Sequence, residues 1–123
     1  MNASKVLSDA VARLKASTAI DHWQRDSEEI EADELLSFAL GVDRIDPKAD
    51  VPAGVRRRFD RMIARRATGE PVQLITGHAV FRGLEILARP GVFVPRDSTE
   101  FLAEQAVRRL RGRRRPIAVD LAT

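Results

Sequence analysis

A chain of 123 residues with 44% apolar and 32% charged residues has the composition of an ordinary folded protein, with room for one domain or two very small ones. It contains no cysteine, which excludes disulfides and thiolate metal sites, and His22 and His78 lie too far apart in sequence to read as a ligand pair, so no metal is expected. No run approaches the ~20 apolar residues of a bilayer span and no signal-peptide pattern opens the chain, which points to a cytoplasmic protein, away from membranes.

In chain order, three helices come first. Val6, Leu7, Ala10, Val11 and Leu14 recur at helical spacing and predict an amphipathic helix over about residues 4–17. An acidic stretch, residues 26–34, leads into Ala32, Leu35, Leu36 and Ala39 on one face of a second helix. Acids in a first turn suit the positive end of the helix dipole, and Gly41 suits the stop. Pro47 and Pro52 bracket a loop, and Pro52 suits the opening of a third helix. Val55, Phe59, Met62 and Ile63 form its apolar stripe before Gly69 ends it. Three such short helices bury their stripes only against one another, so residues 1–70 read as a small helical bundle.

After Pro71 the pattern turns β-like. Residues 72–75 are β-branched and apolar, and residues 80–81 and 84–87 flank Arg82-Gly83, the two-residue spacing of a hairpin. Residues 92–94 read as a further extended piece, because Pro95 biases its predecessor away from helix. Asp97, with Glu100 three residues later, has capping-box spacing and opens a helix that runs to about Leu110, where Gly112, Pro116 and an arginine run break it. Residues 117–121, Ile-Ala-Val-Asp-Leu, read as a buried strand of the parallel type. One parallel strand makes no sheet, so the sequence reads as the first part of a longer protein.

The net charge of +3 divides unevenly: residues 1–50 carry −5 and residues 51–123 carry +8. The positive charge sits in two arginine groups, at residues 56–66 and 108–115. Such runs bind phosphate backbones or are solvated helix faces, and with one tryptophan and no tyrosine the stacking platforms of single-strand binders are scarce. Direct nucleic-acid binding is therefore not expected. Residues 91–100, GVFVPRDSTE, set Phe93 and Arg96 on either side of Pro95 between an extended piece and a helix. α/β enzymes hold ligands at such corners, and the plainer alternative is a connecting turn with a solvated arginine.

Several of these stretches together resemble one family. Residues 65–77, RRATGEPVQLITG, are similar to the R-x-x-GEP-x-x-x-x-TG signature of the release-factor glutamine methyltransferases, the HemK/PrmC family. Phe81 with Gly83-Leu84 resembles its F-x-G-L hairpin, and residues 90–96, PGVFVPR, resemble its PGV-x-IPR segment. Thr99-Glu100 matches the close of its PRPETE motif, and residues 119–121 resemble the strand that leads into its glycine-rich cofactor loop. The resemblance is strong over residues 65–123 and architectural over residues 1–64.

The resemblance implies a mainly α chain: a helical substrate-docking domain over 1–70, a β-hairpin linker over 71–96, and over 97–123 the first helix and strand of a truncated Rossmann-like methyltransferase domain. It implies methyl transfer from S-adenosyl-L-methionine to the side-chain amide of the glutamine in the GGQ loop of a peptide-chain release factor, the protein partner. By matching position Phe93 would pack against the target glutamine, while Arg96, Thr99, Glu100 and Asp120 would lie on the cofactor side, Glu100 there either capping the helix or orienting Arg96. The family's glycine-rich turn and Asn-Pro-Pro-Tyr catalytic motif do not occur in these 123 residues, so no catalytic residue is assigned and the fragment alone is expected to be inactive. Asp97-Ser98 replaces the family's Pro-Glu, and Ala122 stands where its first glycine would follow the strand, departures that a diverged member with another substrate would show. The alternative is a helical module without enzyme activity, with basic faces for ribosome, RNA or a protein partner.

Overall fold

In the computed structural model, which describes residues 1–21 and 24–121, Val6, Ala10 and Leu14 turn one buried face of α1 (Ala3–Ala16) inward. His22 and Ala122, both interpreted above, lie outside the described residues. α1 starts on Asn2, whose Oδ1 accepts the Lys5 N–H at 3.0 Å. At its other end Arg25 donates to the carbonyls of Leu14, Lys15 and Ser17, answering acceptors that a helix C-terminus leaves open. α2 (Glu28–Leu40) buries Ala32, Leu35, Leu36 and Ala39, carries three glutamates in its first turn and stops at Gly41 in the left-handed region. α3 (Ala53–Ala67) buries Phe59, Met62 and Ile63, and the three helices pack pairwise around one core.

One expected strand is a helix. Residues 72–75 form α4 (Val72–Thr76), started by Pro71 and stopped by Gly77 at φ 81°. Helical spacing sets Val72 and Ile75 on one side, both buried against α2 and α3. Strand spacing would have turned adjacent residues to opposite faces and lost that burial. β-branched composition was overruled by a neighbour with an apolar surface to cover.

The hairpin forms as expected, with β1 (His78–Phe81) antiparallel to β2 (Leu84–Leu87) and Phe81 opposite Leu84. Arg82 at φ 48° and Gly83 at φ 77° supply the two left-handed residues of a tight hairpin turn. α5 (Asp97–Leu110) also spans the expected residues, but no capping box forms: Arg96 precedes the helix without a side-chain cap and Glu100 bonds elsewhere. None of its side chains is buried. Residues 92–94 pair with no strand, and residues 117–121, expected as a buried strand, are unpaired and exposed, with Ile117 at 86%. A strand needs a partner for its backbone groups, and among the described residues none lies beside either segment. Those described residues make a mainly α chain: five helices and one two-stranded hairpin.

Candidate functional site

The R-x-x-GEP run explains how the bundle presents an edge to the corner. Arg66 falls three residues after Ile63 and four after Met62, on the apolar stripe of α3, and its side chain is 1% exposed. Its Nε donates to Glu31 Oε2 at 2.8 Å and its Nη2 to Glu31 Oε1 at 3.1 Å, a two-pronged bond from α3 to α2. The same guanidinium reaches Gln24 Oε1 at 3.4 Å and the Glu70 carbonyl at 3.5 Å. Next to it Arg65 grips the Glu70 carboxylate at 2.8 and 2.5 Å. That hydrogen bond is the main cause holding the Glu70 carboxyl below its ordinary range.

Gly69 completes the bend. It sits at φ 94°, and a Cβ there would lie 2.8 Å from the Ala19 carbonyl oxygen, so both conformation and space require glycine. Sequence reasoning counted Arg66 with the basic surface. Its place at helical spacing on the apolar stripe was the signal that it points inward.

Against this edge lies the corner. Gly69, Pro71, Gln73 and Leu74 face residues 92–97 across an open cleft of about 920 Å³. On the other side of the same segment, a second cleft of about 660 Å³ runs between Phe81 and Ile86 of the hairpin and Arg96 and Thr99. Residues 93–96 line both. Phe93 stands out at 92% exposure, a large apolar side chain with almost nothing covering it. Arg96 is exposed and forms no ion pair among the described residues.

Of the five residues singled out, Phe93, Arg96 and Thr99 come together on the second cleft. Glu100 is adjacent, but its Oε1 accepts the backbone N–H of Arg82 at 2.6 Å. Asp120 lies in the exposed, unpaired segment and lines neither cleft. Sequence reasoning missed the opposite wall: Gln73 and Leu74 of α4 face the corner only because residues 72–76 are helical.

The exposed arginines form another surface. Arg57 and Arg61 project from α3 one turn apart, and Arg58 lies 5.1 Å from the ring centre of Phe38 on α2. No group of three or more His, Asp or Glu able to hold a metal occurs among the described residues. No helix among them is long and apolar enough to cross a membrane.

Comparison with known proteins gives a consistent answer. A family model described as the PrmC N-terminal domain matches residues 5–77. A release factor glutamine methyltransferase of Koribacter versatilis is 43% identical over 82 residues, covering 63% of this chain and 29% of that protein. One of Burkholderia pseudomallei is 36% identical over 127 aligned residues, covering 100% of this chain and 42% of that protein. A 4-amino-L-phenylalanine/4-methylamino-L-phenylalanine methyltransferase of Streptomyces pristinaespiralis is 44% identical over 69 residues, covering 52% of this chain and 24% of that protein. The chain thus spans less than half the length of each of these relatives.

Proposed function

The chain belongs to the PrmC N-terminal domain family, and from that membership we propose that it is the docking and corner portion of a protein-glutamine methyltransferase acting on a peptide-chain release factor. In this reading residues 1–70 dock the protein substrate, residues 71–96 carry the hairpin and corner, and residues 97–123 belong to the domain that binds S-adenosyl-L-methionine. The observation that carries it is the wall at residues 93–96, which lines two clefts at once, with a bare phenylalanine at one end and, at the other, an arginine that forms no ion pair among the described residues.

Phe93 offers a flat apolar surface for the methylene stem of the glutamine in the GGQ loop, leaving the amide nitrogen free to react. Arg96 and the Thr99 hydroxyl suit a carboxylate, the chemistry of the donor's amino-acid end, and that end fits the second cleft. Asp120 serves the donor from the segment after α5. When bound, S-adenosyl-L-methionine supplies a methyl on a sulfonium, and transfer breaks that sulfur–carbon bond, forms a nitrogen–carbon bond and releases an amide proton. What these residues contribute is position, since a two-substrate transfer gains most from aligned reactants. The 123 residues have no glycine-rich turn for a ribose or adenine, so in this reading they bind the donor weakly without the rest of the enzyme.

The bundle supplies partner choice. A glutamine on a loop gives little contact area, and patches of opposite sign on the bundle steer encounter and orientation. The relative that acts on a free aromatic amino acid supports a second reading, in which the same corner serves a small amine. One experiment separates the two. In the methyltransferase that carries this unit, Arg57 and Arg61 are both changed to Glu, and Arg65 is spared because it holds Glu70. Transfer to an intact release factor, to a short peptide with its glutamine and to 4-amino-L-phenylalanine is then compared. The proposed function predicts loss with the intact protein, mainly in kcat/KM and sensitive to salt, with the peptide rate unchanged. Methylation of the amino acid alone would establish the second reading. A wild-type rate in both Phe93→Ala and Arg96→Ala would return the corner to a plain turn.

A further inference from the structure

Arg82 occupies the first position of the hairpin turn at φ 48°, a conformation usually left to glycine, asparagine or aspartate. Antiparallel pairing of Phe81 with Leu84 closes the ladder, and the Arg82 N–H lies beyond it. The carboxylate that answers this N–H comes from another element. Glu100, half-buried in the first turn of α5, accepts it through Oε1 at 2.6 Å. Among the described residues this is the one hydrogen bond that joins α5 to the hairpin or to the bundle. α5 has no buried side chain to hold it otherwise.

The bonded residues are the immediate sequence neighbours of two residues that line the second cleft. Phe81, on one wall, immediately precedes Arg82, and Thr99, on the other, immediately precedes Glu100. We propose that Glu100 is a positioning residue: its carboxylate fastens the hairpin turn to the first turn of α5 and so sets the separation of Phe81 and Ile86 from Arg96 and Thr99. The resemblance puts Glu100 on the cofactor side; the geometry gives its carboxylate a different occupation, holding the wall on which Arg96 and Thr99 stand. The consequence for methyl transfer rests on the function proposed above, whereas the clamp itself rests only on the contact.

The test uses two substitutions and two readouts. In the 123-residue protein the Arg82 amide is followed by NMR hydrogen exchange, with Leu35 and Ile63 amides as references inside the bundle. Glu100→Ala is expected to speed Arg82 exchange at least 10-fold and leave the references unchanged, while Glu100→Gln, which keeps an acceptor oxygen, recovers most of the protection. Unchanged Arg82 exchange in Glu100→Ala overturns the proposal. In the methyltransferase carrying this unit, Glu100→Ala is expected to lower kcat with the peptide substrate at least 5-fold, with Glu100→Gln restoring it. A donor KM raised equally by both substitutions, with kcat untouched, would make Glu100 a donor ligand and overturn the positioning role. An Arg82 amide that responds as expected, with no methyl transfer by the longer protein that carries this unit, would sink the functional reading and leave the clamp standing.

Discussion

Residues 1–77 and residues 78–121 contain similar densities of apolar side chains and use them in opposite ways. In the first region the stripes of α1, α2, α3 and α4 are spent on one another, and a buried arginine is fully partnered. In the second, Ala79 alone among the apolar residues is buried, while Val80, Leu84, Phe93, Phe101, Leu102 and Val119 stand exposed. An apolar pattern therefore states a demand for a partner, and whether it becomes a core depends on whether the partner is within reach. Protein-sized stability belongs to the first region; the second is held by a hairpin ladder, the contacts of His78 and Ala88 with Phe38, Thr76 and Gly77, the Glu100–Arg82 bond and the helix's own turns, and two-stranded hairpins are marginal by themselves.

The largest expected effect tests the packed side. Arg66→Ala removes the cation opposite Glu31, which is itself largely covered, and is expected to cost about 3–5 kcal/mol in urea unfolding. Combining Arg66→Met with Glu31→Leu should recover most of the loss, because an apolar pair of similar volume leaves no unanswered charge. If Arg66→Ala were as mild as a surface change, the contrast between the regions would collapse. Next, Gly69→Ala forces a left-handed backbone on a side chain that meets the Ala19 carbonyl, and is expected to cost about 2 kcal/mol. Its far-UV spectrum should stay helical while the melting temperature falls.

Acid acts on the same side. Hydrogen bonding to Arg65 lowers the Glu70 carboxyl, and its backbone hydrogen bond, followed by Arg25, lowers Glu28, both from the ordinary 4.5. Their folded-state values lie below the unfolded value, so the stability they add is present above 4.5 and is lost as pH falls through the lowered values. Glu34 runs the other way: desolvation, then the Glu31 charge, raises its carboxyl, so it gains stability as pH falls through the raised value. The Glu70 contribution can be isolated: Glu70→Gln, which cannot ionise, should make the urea midpoint less sensitive to acidification between pH 5 and pH 3 than it is in the parent protein. An unchanged sensitivity would refute the role of the Arg65–Glu70 bond. The smallest effect is on the open side: Leu102→Ser and Phe101→Ser together should change folding stability by no more than about 0.5 kcal/mol while improving solubility. A loss of several kcal/mol there would reveal packing that these residues lack.

Most of the bundle was legible because its apolar residues keep helical spacing, Gly41 stops α2 and Pro52 opens α3. The hairpin was legible from two residues between two apolar runs. Two errors have one cause. Residues 72–75 became helix and residues 117–121 stayed unpaired because strand composition is a preference for a half-buried surface, and the surface decides. The corner was legible as a corner. Its opposing wall on α4 was not, nor was the redirection of Glu100, since both depend on how separate elements meet.

The buried Arg66 also carries alignment information. Slide α3 by one turn along α2 and Met62 would stand where Arg66 does now, leaving an interior still greasy enough to collapse. Glu31 would then face a thioether instead of a cation, and Arg66 would be pushed past the Gly69 bend. Leucines accept many such alignments almost equally; a carboxylate with one correct partner accepts one. Only the present seating answers both charges, and it is the seating that sets the Gly69 bend, and with it the corner's far wall, beside Ala19.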